Sequence, residues 1–188
     1  THGRSTGTTF TGYTNTSAAI TRSFTPVANK WYHLVYQRFS GNLQIYINGK
    51  KQGADVANST DVSGSTQIVR IVENTNGLNT ATGSIKNYRI SNVARYTTDF
   101  TPSTSLFASD SNTKLLLLGE ETNGATTFTD SGNTVHTVTT IGAAKLLYHS
   151  DYRSSIFVDT ETTAKLITDV GDSKIVSQAF NKSAGFFD

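Results

Sequence analysis

The segment from Lys30 to Lys51 constrains the fold more than any other part of the chain, because it encodes two strands joined by a short turn. Lys30 to Phe39 and Leu43 to Lys51 are rich in β-branched and aromatic residues, which favour strands. Ser40-Gly41-Asn42 between them is a short glycine-containing loop typical of a hairpin. Asn48-Gly49 predicts a second tight turn, where glycine adopts a positive φ without steric cost. The segment therefore predicts an antiparallel sheet.

The composition extends this prediction to the rest of the chain. Its 188 residues are enough to bury a sizeable core. Threonine is abundant, and 10 Phe and 8 Tyr accompany only 2 Pro, a balance that suits antiparallel sheets. Alternating residues predict further strands at residues 8–13 and 18–24, and short apolar segments predict them at 67–72, 113–118, 144–148 and 155–158. We therefore predict an all-β fold.

The stretch Gly83–Pro102 predicts a strand followed by a packing turn. Ile85 and Arg89 fall on one face by a period of two. Val93–Tyr96 is too short to form a free-standing helix, and Pro102 ends the segment. Nothing in this stretch is chemically reactive, so we interpret it as structural.

Charge and residue usage exclude several classes of function. Sixteen basic and 14 acidic residues give a net charge of +2, and they are interspersed, without the basic stripe of a nucleic-acid-binding protein. No run approaches the roughly 20 apolar residues that cross a membrane. We therefore predict neither a nucleic-acid nor a membrane partner. The chain has no Cys, which excludes thiolate chemistry, and no Met, so we expect it to be a fragment of a longer protein.

Three segments in order resemble the laminin-G-like domains. Lys30–Tyr36 resembles a strand of the form K-W-x-H-L/V-V, and Leu43–Lys50 resembles the hairpin L-x-I-Y-I-N-G-K. Gly83–Pro102 resembles the closing signature of the versions found in bacteriophage virion proteins. The resemblance implies a concanavalin A-like fold, that is, an antiparallel jelly-roll β-sandwich.

The same resemblance predicts the domain organisation. Residues 1–108 are expected to form one laminin-G-like β-sandwich, whose N-terminal strands are missing from the sequence given. Thr126–Asn133, followed by Val135–Val138, resembles the opening of another such unit. Residues 109–188 are therefore expected either to start a partial second β unit or to supply strands that complete the first.

A catalytic constellation is not evident in the sequence. Glycoside hydrolysis requires two carboxylates across the sugar bond, and in jelly-roll glucanases these lie in a Glu-x-Asp-x-x-Glu run that this chain lacks. The nearest acidic clusters are Glu120-Glu121 and Asp159-Thr160-Glu161. His33 and His136 fall on strand positions of the family and are interpreted as structural hydrogen-bonding residues. We therefore predict no enzyme, no catalytic residue, no metal ligand and no required cofactor.

The resemblance implies a role in a virion. We expect a non-enzymatic structural protein, namely a capsid decoration, tail or tail fibre component located in the virion. Its partners would be other virion subunits, in a homo-oligomer or larger assembly, with glycans of the host surface as a further contact.

The alternative is a lectin-like carbohydrate-binding module, either with or without dependence on Ca²⁺. The loop after residue 72 carries Asn74, Asn76 and Asn79, whose amides could bind a glycan and whose oxygens could bind Ca²⁺. An ordinary solvated turn explains the same residues, and Glu73 is the only carboxylate in the loop. Trp31 is interpreted as a core anchor, with a sugar-stacking platform as the alternative.

Overall fold

The computed structural model describes residues 2–5, 8–14, 17–59, 71, 83–140, 142–149 and 153–158. This part of the chain contains strands and no helix, and every strand pair is antiparallel, which confirms the predicted all-β class. None of its residues therefore belongs to a helix that could span a membrane. The strands are β1 His2–Ser5, β2 Thr9–Thr14, β3 Ser17–Ser23, β4 Leu34–Phe39, β5 Asn42–Ile47, β6 Lys50–Lys51, β7 Val56–Ala57, β8 Gly83–Ile85, β9 Tyr88–Ser91, β10 Thr113–Leu117, β11 Lys145–His149 and β12 Arg153–Val158.

The chain divides into two compact units. Unit 1 comprises Thr1–Val27, Tyr32–Val69 and Val93–Thr104, and unit 2 comprises Ala28–Trp31, Arg70–Asn92 and Ser105–Asp188. The predicted boundary between residues 108 and 109 divides the sequence into consecutive family units, whereas the two compact units are each made of several separate segments. That boundary stays a prediction.

Unit 1 is built from two sheets with a shared core. One sheet has the order β1-β2-β3, and the other has the order β4-β5-β6 with β7 also paired to β5. Their apolar side chains meet in one cluster of Phe10, Ile20, Phe24, Leu43 and Ile45. Burying each of these side chains contributes roughly 1.5–3 kcal/mol, so this cluster stabilises the packing of the two sheets on each other.

The hairpin predicted within Lys30–Lys51 is present, with shifted bounds. β4 begins at Leu34 rather than at Lys30, and β5 begins at Asn42, one residue earlier than predicted. The connection is therefore two residues long, and Ser40 and Gly41 both have positive φ (48° and 77°), as a type I′ turn requires. Asn48 and Gly49 repeat this geometry (49° and 76°) between β5 and β6, which confirms the second predicted turn.

The single strand predicted from Gly83 is wrong, because the backbone breaks between β8 and β9. Asn87 has a φ of 58°, a left-handed conformation that interrupts a strand. Its buried side chain accepts a hydrogen bond from the Phe107 amide (2.9 Å) and donates one to the Ser105 carbonyl (3.2 Å). Ile85 and Arg89 therefore belong to different strands.

Unit 2 contains a two-stranded sheet, β9-β10, and a three-stranded sheet, β8-β12-β11. Leu117 of β10 and Leu146 of β11 are buried in one of its apolar clusters. These strands confirm the predictions at residues 113–118, 144–148 and 155–158, as β2 and β3 confirm those at 8–13 and 18–24. The strand predicted at 67–72 lies, apart from Ile71, outside the described residues.

Candidate functional site

One face of the β4-β5 sheet in unit 1 carries three rows of side chains across the strands. Directly opposed residues of an antiparallel pair lie on the same face, so the pairing defines each row. The covered row is Val35, Tyr46 and Lys51. The polar row is Gln37 and Gln44, extended by Asp55, which hydrogen-bonds to Gln44. The open row is Phe39, Asn42 and Ala57.

Aromatic rings lie over the covered row. Tyr96 and Phe100 stack on each other, with ring centroids 3.6 Å apart and an interplanar angle of 8°. Tyr46, which is fully buried, lies 6.3 Å from the Tyr96 centroid and 5.7 Å from that of Phe100. The buried His33 ring meets the same two rings edge-on at 5.8 and 5.3 Å. Such contacts add about 0.5–1.5 kcal/mol per pair beyond area burial, so this end of the face is closed by packing.

The second hairpin turn is joined to the same aromatic segment. The Phe100 amide donates to the Gly49 carbonyl (2.9 Å), and a Cβ on Gly49 would lie 1.9 Å from the Phe100 oxygen. Asp99 accepts hydrogen bonds from the Lys51 amide (2.8 Å) and from Lys50 Nζ (3.2 Å), and these bonds lower the pKa of its carboxyl group. The three segments that carry the family resemblance thus contact one another.

The polar row holds the backbone of the segment that follows β9. Gln37 Oε1 accepts hydrogen bonds from the amides of Arg95 (3.2 Å) and Tyr96 (3.3 Å). Gln37 Nε2 donates to Gln44 Oε1 (2.8 Å) and to the Tyr96 carbonyl. Both functional atoms of one amide are therefore used to fix the turn at Arg95 and Tyr96.

Asp55 at the end of the polar row is held in its ionised form. Its carboxylate accepts hydrogen bonds from Gln44 Nε2 (3.0 Å) and Lys51 Nζ (2.9 Å). The hydrogen bond from Gln44 has the largest effect in lowering the pKa of the Asp55 carboxyl group, and the bond from Lys51 has the next largest. The same bond to Asp55 raises the pKa of Lys51. The negative charge of Asp55 is consequently paired with the positive charge of Lys51 in the covered row.

The open row leaves an aromatic ring accessible on this face, where Lys51 and Asp55 are also exposed. Phe39 is 40% exposed and Ala57 is exposed, while Asn42 between them is partly buried. The row combines an aromatic ring, an amide and a methyl group on adjacent strands, which are about 4.8 Å apart. This arrangement can bind a ligand but offers no nucleophile or acid.

A second set of polar contacts surrounds Asp130 in unit 2. Asp130 is buried, and its carboxylate accepts hydrogen bonds from the amides of Leu116 (2.9 Å), Gly132 (2.8 Å) and His136 (3.0 Å). Its Oδ2 also lies 2.7 Å from His136 Nδ1. Burial opposes ionisation, but the bonds from His136 and from the amides outweigh it and lower the pKa of Asp130. The contacts between Asp130 and His136 therefore stabilise the loop that joins these two residues.

The two histidines differ in part from their predicted roles. The hydrogen-bonding role of His136 is confirmed, and the backbone of His33 exchanges hydrogen bonds with Asn48. Neither residue lies in a strand, however. His33 lies just before β4, and His136 lies in the loop that Asp130 organises.

The predicted glycan-binding residues Asn74, Asn76 and Asn79 lie outside the described residues, so that site and its Ca²⁺ stay predictions. In the part that the structure describes, no three His, Asp or Glu side chains are grouped to hold a metal ion.

The prediction that Trp31 anchors the core is wrong, because the residue is 40% exposed. It belongs to the run Val27–Trp31, which lies before β4 rather than in it, and every residue of that run is exposed.

Sequence reasoning missed the open row. The sequence could have predicted the pairing of Phe39 with Asn42, because a two-residue turn at Ser40-Gly41 places these two residues directly opposite each other. Ala57 had no such signal, because its pairing with Asn42 spans a loop.

Residues 2–100 match the family model described as the concanavalin A-like lectin/glucanases superfamily, Laminin_G_3. Searches of the curated proteins and of the solved structures gave no match. The description of the family covers both lectins and glucanases, so it is compatible with binding and with hydrolysis.

Proposed function

The chain belongs to the concanavalin A-like lectin/glucanase superfamily, and from this premise we propose that it is a non-enzymatic structural protein of a bacteriophage virion. It would be a capsid decoration, tail or tail fibre component. It would act through surface contacts with neighbouring virion subunits, in a homo-oligomer or a larger assembly.

The observation that carries this proposal is how the three family segments are used. His33, the Asn48-Gly49 turn and the Tyr96–Phe100 segment pack against one another. A catalytic role would instead direct reactive groups from these segments toward a substrate. Their use as internal contacts supports a scaffold.

Three carboxylates of the described residues support the same proposal. A glycosidase general acid needs a raised pKa, whereas the pKa values of Asp55, Asp99 and Asp130 are lowered by hydrogen bonds. Each of these groups already serves as an acceptor within the fold.

The test is to locate the chain in purified virions of the phage that encodes it. We expect mass spectrometry to detect it at a fixed copy number per particle, and immunogold labelling to place it at one morphological feature. Its absence from particles, or release of reducing sugars from polysaccharides by the purified chain, would contradict the proposal.

A carbohydrate-binding module is the second candidate, and the exposure of Trp31 favours it. An indole ring exposed in water suits stacking on a sugar. Asn74, Asn76 and Asn79, with Ca²⁺, remain the proposed rim site of this candidate. An array of oligosaccharides probed with and without EDTA tests it: calcium-dependent binding is expected if the asparagine loop is the site, and binding unaffected by EDTA would remove the metal from the proposal.

A further inference from the structure

We propose that the loop of residues 130–136 in unit 2, the capping loop, covers the outer edge of β10 and keeps two copies of the chain from pairing through this strand. The proposal goes beyond the virion role, because it concerns how the chain associates with itself wherever the protein is located.

The outer edge of β10 is bonded to the capping loop instead of to a strand. Among the described strands, β9 is the one that pairs with β10. The Leu116 amide donates to Asp130 Oδ1 (2.9 Å), and the Leu116 carbonyl accepts a hydrogen bond from the Ser131 amide (2.8 Å). The amide and carbonyl of one residue in an antiparallel strand face the same neighbour, so both groups of Leu116 lie on the edge away from β9.

The capping loop occupies the place of a neighbouring strand without being one. Residues 130–136 contain no strand, yet the Asn133 amide donates to the Thr113 carbonyl (3.1 Å). Gly132 lies so close to β10 that a Cβ on it would be 3.4 Å from the Leu115 Cα. Another strand therefore cannot bond to this edge while the loop is in place.

One buried side chain holds the capping loop on the strand. The Asp130 carboxylate accepts hydrogen bonds from the amides of Leu116, Gly132 and His136, so it connects β10 to the loop. Ser131 and Asn133, which supply the other contacts, are exposed. Without the carboxylate, the Leu116 amide would need a new acceptor, and the loop would lose the bonds that fix its backbone.

A second copy of β10 is the partner that fits the uncovered edge. Leu115–Leu118 is an uncharged aliphatic run, and an uncovered apolar edge strand pairs readily with another chain. In a symmetric antiparallel pair centred on Leu116, this residue exchanges both hydrogen bonds with the same residue of the copy. Lys114 then lies opposite Leu118 of the copy, so the two positive charges do not oppose each other.

The test is sedimentation equilibrium of the 188-residue chain and of Asp130→Ala over a range of concentrations. We expect Asp130→Ala to associate about tenfold or more tightly than the unchanged chain, because the edge of β10 is uncovered. Leu146→Ala is the matched control, since it removes a buried side chain of unit 2 and keeps the Asp130 carboxylate; it should associate as the unchanged chain does.

A second variant displaces the capping loop by another route. Gly132→Val keeps the carboxylate, but its Cβ would lie 2.8 Å from Asp130 Oδ1, which forces the loop to move. We expect it to strengthen association as Asp130→Ala does. Circular dichroism verifies the β content of each variant, and Gly132→Val provides the test if Asp130→Ala does not fold.

Charges introduced at Leu118 test the identity of the partner and its register. In the Asp130→Ala background, Leu118→Lys places a positive charge opposite Lys114 of the copy and should weaken association, whereas Leu118→Glu should strengthen it. Hydrogen exchange at the Leu116 amide supplies a second measurement. In Asp130→Ala it should be faster than in the unchanged chain at low protein concentration and slow again at high concentration, where the amide bonds to the copy.

Three results would overturn the proposal. Unchanged association in both Asp130→Ala and Gly132→Val would show that the loop does not guard the edge. Equal association of Asp130→Ala and Leu146→Ala would attribute the effect to lost stability. Equal effects of Leu118→Lys and Leu118→Glu would exclude pairing through β10. The virion proposal is independent of these results and is decided by the particle analysis.

Discussion

At the scale of single residues, the two hairpin turns show how local preference and tertiary contact act on the same residue type. Gly41 and Gly49 have nearly equal φ values of 77° and 76°, each at the second central position of a two-residue turn. A Cβ on Gly41 would meet nothing within 4 Å, whereas one on Gly49 would collide with the Phe100 backbone. The two positions therefore separate backbone strain from steric overlap.

We predict that Gly49→Ala destabilises the protein more than Gly41→Ala does. The left-handed backbone costs an L-residue about 1–2 kcal/mol, which is the full expected effect at Gly41. At Gly49 the overlap with the Phe100 carbonyl adds to this, for a total of about 3 kcal/mol or more. Urea unfolding of both variants measures the difference, and equal losses would show that the contact with Phe100 is unimportant.

At the scale of elements, side-chain amides rather than sheet pairing hold the segment after β9 in unit 1. Residues 93–100 form no strand, so their backbone needs other partners when it is removed from water. Gln37 supplies three of these contacts, to the amides of Arg95 and Tyr96 and to the Tyr96 carbonyl. One β4 side chain thus anchors the start of the aromatic segment, and the Gly49 carbonyl accepts a hydrogen bond from its end at Phe100.

Gln37→Ala is expected to destabilise unit 1 by about 2 kcal/mol or more, because a partly buried backbone loses its hydrogen-bonding partner. Gln52→Ala is the matched control, since Gln52 Nε2 donates only to the exposed Lys50 carbonyl, and it should cost at most about 0.5 kcal/mol. Thermal unfolding followed by tyrosine fluorescence compares the two. A Gln37→Ala variant as stable as Gln52→Ala would refute the anchoring role.

In unit 2 the loop from Asp130 to His136 depends on one buried carboxylate. We predict that Asp130→Asn costs about 2–4 kcal/mol, because the amide nitrogen cannot accept the bonds that Oδ2 receives from His136. Hydrogen exchange at the His136 amide, which donates to Oδ2, should accelerate in Asp130→Asn; unchanged exchange there would contradict the assignment.

At the scale of the whole molecule, acid should destabilise both units. Asp55 and Asp99 belong to unit 1 and Asp130 to unit 2, and the pKa of each is lowered from the ordinary value of 3.8. A carboxyl group whose pKa is lower in the folded state binds more protons when the chain unfolds, so the free energy of unfolding rises with pH in that range. The contribution is complete above about pH 4 and is lost as the pH falls through the folded-state pKa values.

We therefore predict a nearly constant free energy of unfolding between pH 7 and 5, and a decrease below about pH 4. Urea titrations across this range measure it. Repeating the titrations in about 0.5 M sodium chloride is the control. Salt screens the exposed pairs Lys50–Asp99 and Lys51–Asp55 but not the buried bonds of Asp130, so the part of the pH dependence that persists in salt is assigned to Asp130. Stability that is maintained or increased at pH 3 would contradict the prediction.

The sequence by itself determined the strands and turns whose causes are local. Alternating residues predicted β2 and β3, a continuous aliphatic run predicted β10, and the Asn48-Gly49 pair predicted a turn with positive φ, because these signals depend on residues close in the chain. The same local signal failed at Asn87, where a buried amide bound to residues 105 and 107 makes the left-handed backbone favourable.

Tertiary structure alone decided which side chains are buried and which segments meet. Trp31 is exposed although the family resemblance implied a core position. Tyr96 and Phe100 cover Tyr46, about 50 residues away in the chain, and Ala57 joins Phe39 in the open row only through the pairing of β5 with β7. Burial depends on contacts between distant segments, and the backbone preferences that a sequence encodes locally do not specify those contacts.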